Sequence, residues 1–350
     1  MKGDVKMLTS KMIREAALAA GADACGIAPM SRFDGAPDEM NPQFLFPESK
    51  SCIGFVFRIP RGVQRGIEEG TQFYQYPSMA YGGINEIFAP AVLYHVGKVI
   101  EDEGYEAFVY RNTGARGVVS DMDGSPGNTL SPEEQIEVNE NAKTSTAHHR
   151  SVQFTRPARE GTVAPDLQFQ FRIAAVACGL GEIGWSKMLL TPEFGPLQRV
   201  AFIFTDAEIE PTEEVKPHLC DKCGKCIKAC PGGAVDENGN VDPWQCAVYY
   251  NCANGTKNPF MPQEAFDGID NRFEIIAGEA KVTPETARKI LDKIYFYPPA
   301  QHAYQCSICG RACDMECYVR LEEKGVLKKK FKTPFRKREI WRFAIDDFRQ

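Results

Sequence analysis

The chain has 350 residues, of which 43% are hydrophobic and 25% charged, and its formal net charge is −6. This is the composition of a globular protein with one large or two ordinary domains. No apolar run approaches the ~18 residues of a membrane-spanning helix. The acidic balance argues against a nucleic-acid substrate, which usually requires a basic face. The exception is a basic stretch over residues 328–338, which we interpret as a solvated or partner-docking tail, with contact to RNA or an acidic partner as the alternative.

Helices and strands alternate over the first 210 residues. A helix capped by Thr9 or Ser10 and ended by Gly21 comes first. The patterns then predict the following elements in chain order: a buried strand over 51–59, a long helix over 85–103, a strand over 106–111, a helix over 169–178 and a core strand over 199–205.

Pro211 and Pro217 separate this region from a cysteine-rich segment. We therefore predict a first domain over 1–210 with an insertion at 113–165. A second domain follows over 211–325, with an insertion at 253–303, and a basic tail covers 326–350. The N-terminal sequence has neither an apolar signal core nor a twin-arginine pair, which predicts a cytoplasmic protein. In the cytoplasm, clustered cysteines indicate metal ligands rather than disulfides.

Two groups of cysteines carry the strongest signal. The first has the spacing C-x2-C-x2-C-x3-C and is followed by Pro231, and the second has the spacing C-x2-C-x3-C. The first spacing is typical of bacterial ferredoxins, in which the last cysteine of a run serves the other of two [4Fe–4S] clusters. Zinc is the main rival, but its sites usually use paired C-x2-C knuckles.

The exchange of ligands between the runs predicts two sets of cysteines. Cluster one takes Cys220, Cys223, Cys226 and Cys313, and cluster two takes Cys230, Cys246, Cys306 and Cys309. Cys246 is the best choice for the eighth ligand, with Cys252 and Cys317 as spares. The remaining three cysteines, Cys25, Cys52 and Cys178, are interpreted as small buried apolar residues.

A second signature precedes the first cysteine run. Residues 177–206 contain A-x-G-L-G-E-x-G, then L-x-T-P-E-F-G-P-x-x-R and F-T-D. Together with the cysteine spacing, this layout resembles the reductive dehalogenase family and, with Trp in place of Glu182, the related epoxyqueuosine reductases. The resemblance covers residues 172–252 and 304–317 specifically and is weaker over 1–112. It departs at Asp314, which replaces a proline.

The resemblance implies a fold, cofactors and site residues. The fold is α+β, with a nitroreductase-like cobalamin-binding domain followed by a bacterial-ferredoxin-like domain with two [4Fe–4S] clusters. Cobalamin would bind base-off, without a histidine ligand. The implied cofactor-facing residues are Gly179, Gly181, Gly184, Thr191, Phe194 and Gly195. The implied catalytic residues are Arg199, Asn112 near the substrate, and a proton donor that is either Tyr81 or Glu86.

Three functions follow. The first is a cytoplasmic cobalamin-dependent reductase of dehalogenase type, which passes electrons from reduced ferredoxin or flavodoxin through the clusters to cobalt and acts on a small molecule. The second is an epoxyqueuosine-reductase-like enzyme that modifies tRNA. The third is a two-cluster electron carrier without catalysis. Bound corrinoid distinguishes the third from the others, and tRNA binding distinguishes the second from the first.

Overall fold

The structure is a computed structural model, and it describes residues 8–111, 156–160, 167, 169–291, 293 and 311–346. The described chain is a mixture of helices and sheet without a closed barrel. It divides into two compact units. The first comprises Met1–Phe55, Ala91–Gly179 and Val200–Glu214, and the second comprises Val56–Pro90, Leu180–Arg199 and Val215–Gln350. No helix among the described residues is both long and apolar enough to cross a membrane.

Most residues of an open four-stranded sheet belong to the first unit. Its strands are β1 (Ala24–Pro29), β2 (Ser51–Arg58), β3 (Ala107–Tyr110) and β6 (Gln198–Thr205), in the order β1-β2-β6-β3. Strand β3 pairs antiparallel with β6. Nearly all of β2 and β6 is buried, which fits their β-branched and aromatic sequences.

Three helices accompany this sheet: α1 (Ser10–Ala20), α3 (Ala89–Asp102) and α4 (Phe171–Ala177). The predicted start and end of α1 are confirmed, because the Thr9 side chain accepts a hydrogen bond from the Met12 N–H and Gly21 is left-handed at φ +111°. Cys52 and Cys178 are buried in this unit with their Sγ atoms 3.8 Å apart. Cys25 is partly exposed, and its pKa is raised to about 12, mainly by burial and then by Cys178, which suits an unreactive thiol.

The second unit begins with α2 (Gly62–Glu69) and a π-helix (Tyr76–Phe88). It continues with a hairpin of β4 (Glu182–Ile183) and β5 (Leu189–Leu190), and then with five helices: α5 (Lys225–Ala229), α6 (Pro243–Tyr250), α7 (Arg272–Ala277), α8 (Pro284–Leu291) and α9 (Ala312–Glu323). Val248, Ile276 and Ile290 from α6, α7 and α8 belong to one apolar cluster. Most of the predicted insertion at 253–303 is therefore an integral part of this core.

The two units do not coincide with the predicted division at residue 210. Residues 56–90 and 180–199 cluster with the cysteine-rich segment rather than with the sheet. The predicted insertion at 113–165 lies outside the described residues, except for 156–160. The basic segment is also packed, since Arg336 contacts Glu68 and Glu316, and the Trp341 N–H donates to the Glu68 carbonyl at 2.7 Å.

Candidate active site and cluster-binding region

The π-helix carries two buried tyrosines of the candidate active site. The rings of Tyr76 and Tyr81 meet edge to face, with centroids 5.5 Å apart. The Tyr81 hydroxyl also contacts the hydroxyl of Tyr250 on α6. A π-helix has wider turns than an α-helix and often marks a functional site. Here it lies where the sequence predicts the start of a long α-helix, which begins only at Ala89.

Arg199 faces Tyr81 at the start of β6. Its Cζ atom lies 3.5 Å from the centroid of the Tyr81 ring, and its Nε donates to the Ala80 carbonyl at 3.0 Å. The residue as a whole is partly exposed, but its Nη2 is buried and has no hydrogen-bond partner among the described residues. Burial alone would lower the pKa of Arg199, yet the oxygens of Tyr81 and Tyr76 outweigh it and raise the pKa. A cation with an open donor thus lies against the phenol.

A second buried cation, Arg311, interacts electrostatically with the tyrosines. Arg311 forms an ion pair with Asp314, and these side chains are only 7% and 1% exposed. Burial lowers the pKa of Arg311, but Asp314 and then the tyrosines 76, 81 and 250 raise it well above its usual value. Arg311 precedes α9 with φ +65°, a conformation that non-glycine residues rarely adopt. Because Asp314 follows Cys313 directly, this pair links the tyrosines to the cysteine region.

The other predicted catalytic residues are not brought into this cluster. Glu86 lies on the same π-helix, but it is exposed, unlike Tyr81. A carboxyl group that stays protonated at pH 7 requires burial, so the position of Glu86 favours Tyr81 as the proton donor. Asn112 lies outside the described residues. The sequence analysis did not identify Tyr76, Tyr250 or Arg311 as site residues. The only available signal for Arg311 was its position two residues before Cys313.

The first cysteine run is organised by the buried carboxylate of Glu182 on β4. It accepts hydrogen bonds from the backbone N–H groups of His218 at 2.6 Å, Leu219 at 3.0 Å and Cys220 at 2.8 Å. Glu182 is 3% exposed. These bonds satisfy three donors that would otherwise have to find water, and they fix the loop from which the first thiol projects.

Backbone N–H groups also point at two sulfur atoms. The Trp185 N–H donates to Cys220 Sγ at 3.3 Å, and the Ala234 N–H donates to Cys230 Sγ at 3.2 Å. Hydrogen bonds of this kind to ligand sulfurs raise the reduction potential of iron–sulfur clusters, since they stabilise negative charge. The chemistry of the donor set therefore fits [4Fe–4S] clusters. No group of three potential ligands within the described ranges is already gathered at metal-binding distances.

The two cysteines on α9 have different neighbours. The pKa of Cys317 is raised by burial, then by Asp314, and then by the thiols of the first run, Cys220, Cys226 and Cys223. The pKa of Cys313 is raised by burial and Asp314, and its neighbouring thiols are Cys230 and Cys246. Cys306 and Cys309 lie outside the described residues. The predicted spare thus neighbours the first run, whereas Cys313 neighbours the predicted second set.

The glycines predicted to face a corrin are closely packed against neighbouring protein atoms on the side where a Cβ would lie. A Cβ on Gly179 would lie 2.3 Å from the Glu213 carbonyl oxygen, and one on Gly181 would lie 2.2 Å from that of Leu190. Gly184 and Gly195 likewise pack against leucine side chains. The Thr191 hydroxyl accepts a hydrogen bond from the Phe194 N–H at 3.3 Å within the turn. These glycines are required by local packing, and their role toward cobalamin stays a prediction.

Sequence comparison gives two groups of relatives, although no family model matches the chain. An epoxyqueuosine reductase of Bacillus anthracis is 31% identical over 102 residues, which are 29% of this chain and 26% of that protein. A tetrachloroethene reductive dehalogenase of Desulfitobacterium hafniense is 42% identical over 83 residues, which are 22% of this chain and 15% of that protein. The chain is related to both groups. The resemblance predicted from the motifs is confirmed, and the chain matches about a quarter or less of the length of these relatives.

These relatives correct one prediction. The argument from net charge against a nucleic-acid substrate is wrong, because epoxyqueuosine reductases are among the relatives. One of them has been solved with an epoxyqueuosine-modified tRNA stem loop; it has a TM-score of 0.42 and 14% identity, covering 90% of this chain and 82% of that one. Net charge averages over the whole surface, whereas phosphate binding needs only a local basic face. In this chain, the four lysines between residues 328 and 332 are exposed.

Proposed function

We propose that the chain is an iron–sulfur reductase in which two [4Fe–4S] clusters deliver electrons toward a tyrosine–arginine site. One observation carries this proposal. The second unit contains both the cysteine ligands and the cluster of Tyr81 and Arg199, joined through the Arg311–Asp314 pair beside Cys313. Relays of single electrons and a proton donor are the two components that a reductive reaction needs.

The protein's own residues have separate tasks in this mechanism. A reductive step adds two electrons and a proton. The clusters, if held by the cysteines of the second unit, would supply the electrons one at a time, and the Tyr81 hydroxyl would donate the proton. Tyr250 and Tyr76 hold Tyr81 in place through the hydroxyl contact and the ring contact. Arg199 stabilises the negative charge that develops on the Tyr81 oxygen or on the leaving group. Its Nη2, which is buried and has no hydrogen-bond partner among the described residues, is a donor that this developing charge could use.

The proposal extends to the two domains, the cofactors and the electron donor. The first unit would correspond to the nitroreductase-like domain, and the cysteine-rich part of the second unit to the ferredoxin-like domain. Reduced ferredoxin or flavodoxin would supply the electrons in the cytoplasm. The relatives suggest cobalamin as a further cofactor. Because the residues predicted to hold it pack against protein, we assign no residue to it and derive no step through it.

The alternative is a tRNA-modifying enzyme, and a surface pocket favours it. The pocket has a volume of about 290 Å³ and is lined by residues that include Lys329, Lys330, Phe331 and Lys332. Lysines neutralise phosphates, and an exposed aromatic ring can stack on an unpaired base. A reductase acting on a small molecule has no need for this surface.

The test uses the full chain purified without oxygen. We expect about eight irons, four per cluster, and uptake of added cobalamin seen in the visible spectrum. Turnover is then measured with reduced flavodoxin on organohalides and, separately, on tRNA that carries epoxyqueuosine. Activity on tRNA alone that is lost in a K329A/K330A/K332A variant would establish the alternative. An iron-replete protein that binds no corrinoid and turns over neither substrate would be an electron carrier.

A further inference from the structure

The last two cysteines of the described chain lie one turn apart on α9. Cys313 and Cys317 are four residues apart, so they share a helix face and are separated by about 6 Å along the axis. The same spacing occurs on α5, where Cys226 lies within the short helix and Cys230 caps its end. Helices α5 and α9 pack against each other. Each therefore brings two thiols to the same interface.

Charged contacts fix the direction in which the two segments run. Lys324 donates to the Leu219 carbonyl at 3.2 Å, and Arg320 pairs with Asp221 at 3.0 Å. Lys225 pairs with Glu323 at 3.1 Å. Residues at the start of the first run thus meet the C-terminal end of α9, so the segments are antiparallel.

This direction decides which thiols meet. In an antiparallel pair, the cysteine nearer the start of α5 faces the one nearer the end of α9. Along the packed pair, Cys226 is therefore level with Cys317, and Cys230 is level with Cys313.

We propose that Cys317, rather than Cys313, is the fourth ligand of the cluster held by Cys220, Cys223 and Cys226. Cys313 then joins Cys230 and Cys246 in the second cluster. This inference rests on the proposed function, in so far as that function requires two clusters.

The experiment counts iron in anaerobic full-length protein and in double variants. The losses of iron caused by substituting two ligands of the same cluster do not add, because the first substitution already removes that cluster. C223A/C317A should therefore keep about four of the eight irons, like C223A alone, whereas C223A/C313A should lose both clusters. C252A is the control, since Cys252 is buried beside Phe73 and Phe260 and should leave all iron in place.

Full iron content in C317A, or four irons in C223A/C313A, would overturn the assignment. If the alanine variants fail to fold, alkylation of the wild-type protein replaces them. Mass spectrometry should find Cys317 unlabelled until a chelator removes iron, and then labelled together with Cys220, Cys223 and Cys226. Labelling of Cys317 in iron-replete protein also overturns the assignment. Wild-type protein without iron would instead refute the proposed function itself.

Discussion

The cysteine region and the tyrosine–arginine cluster are built in opposite ways. Four of the cysteines lie within eleven residues, on a loop and a short helix whose backbone is held by the Glu182 carboxylate. The tyrosine–arginine cluster instead collects Tyr81, Arg199 and Arg311 from distant parts of the chain. Its charges are buried among aromatic rings, whereas Cys223 and Cys246 are exposed.

This difference affects how well each region can accommodate a substitution. The cysteine loop is anchored at one end and is partly solvated, since Cys223 is exposed and Cys220 and Cys230 are partly exposed, whereas Cys226 is buried. The buried cluster has no such freedom, because a buried charge that loses its partner cannot be rescued by water. We therefore expect substitutions in the buried cluster to cost more than substitutions in the supports of the loop.

The largest expected effect is on stability. Asp314→Ala leaves the buried Arg311 cation without its partner, which should lower the free energy of unfolding by about 3–5 kcal/mol. Thermal unfolding of the iron-replete protein measures this change. The control is Glu285→Ala. The Glu285 side chain is 77% exposed and forms an ion pair with Lys289 one turn away on the same helix. A shift as small as that of the control would mean that Arg311 is solvated and that the two regions do not differ in this way.

Arg199→Ala should have the next largest effect, on turnover. Loss of one preorganised charge donor typically removes about 2.7–4 kcal/mol of transition-state stabilisation, a hundredfold or more in rate. Iron content should not change. Arg272→Ala is the matched control, because Arg272 also lies over an aromatic ring, 4.3 Å from the centroid of Phe273, without contacting the tyrosines. Turnover of Arg199→Ala near the wild-type level would show that the buried cluster has no catalytic role.

Tyr81→Phe tests the proton donor. The ring and its contact with Arg199 remain, so the loss of the hydroxyl alone should reduce turnover by about a hundredfold, at the lower end of general-acid effects. Turnover is compared with that of Glu86→Gln and of Tyr74→Phe, which alters an exposed tyrosine just before the π-helix. Both controls should stay close to wild type. If Glu86→Gln carries the loss instead, an exposed carboxyl is the donor and our choice between the two candidates is wrong.

The smallest expected effect concerns the support of the cysteine loop. Glu182→Gln weakens three hydrogen bonds to backbone N–H groups and should cost about 1–3 kcal/mol. We expect faster loss of iron to a chelator, with the tyrosine–arginine cluster unaffected. Glu193→Gln, which alters a partly exposed partner of Lys328, is the control. Equal rates of iron loss in the two variants would show that the loop does not depend on Glu182.

Much of the local structure could be predicted from sequence. The caps of α1, the buried strands and the cluster-binding spacing are encoded by neighbours along the chain, where turn geometry and periodicity act directly. Arg199 and, with Glu86 as the alternative, Tyr81 are candidates only through the family resemblance, and the contact between them could not be predicted from the sequence. The role of the glycines toward a corrin stays a prediction, because a glycine required by a neighbouring backbone and one required by a ligand look the same in a sequence.

The two cysteine spacings, the buried strands and the relation to two groups of reductases could be read from the sequence. The folded chain was needed to show that residues 56–90 and 180–199 cluster with the cysteine segment. It was also needed to find the electrostatic interaction of Arg311 with the tyrosines. The physical reason is that spacing fixes which residues a single turn can gather. Which segments meet depends instead on burial and on charge pairs such as Arg320–Asp221, whose partners are far apart in the chain.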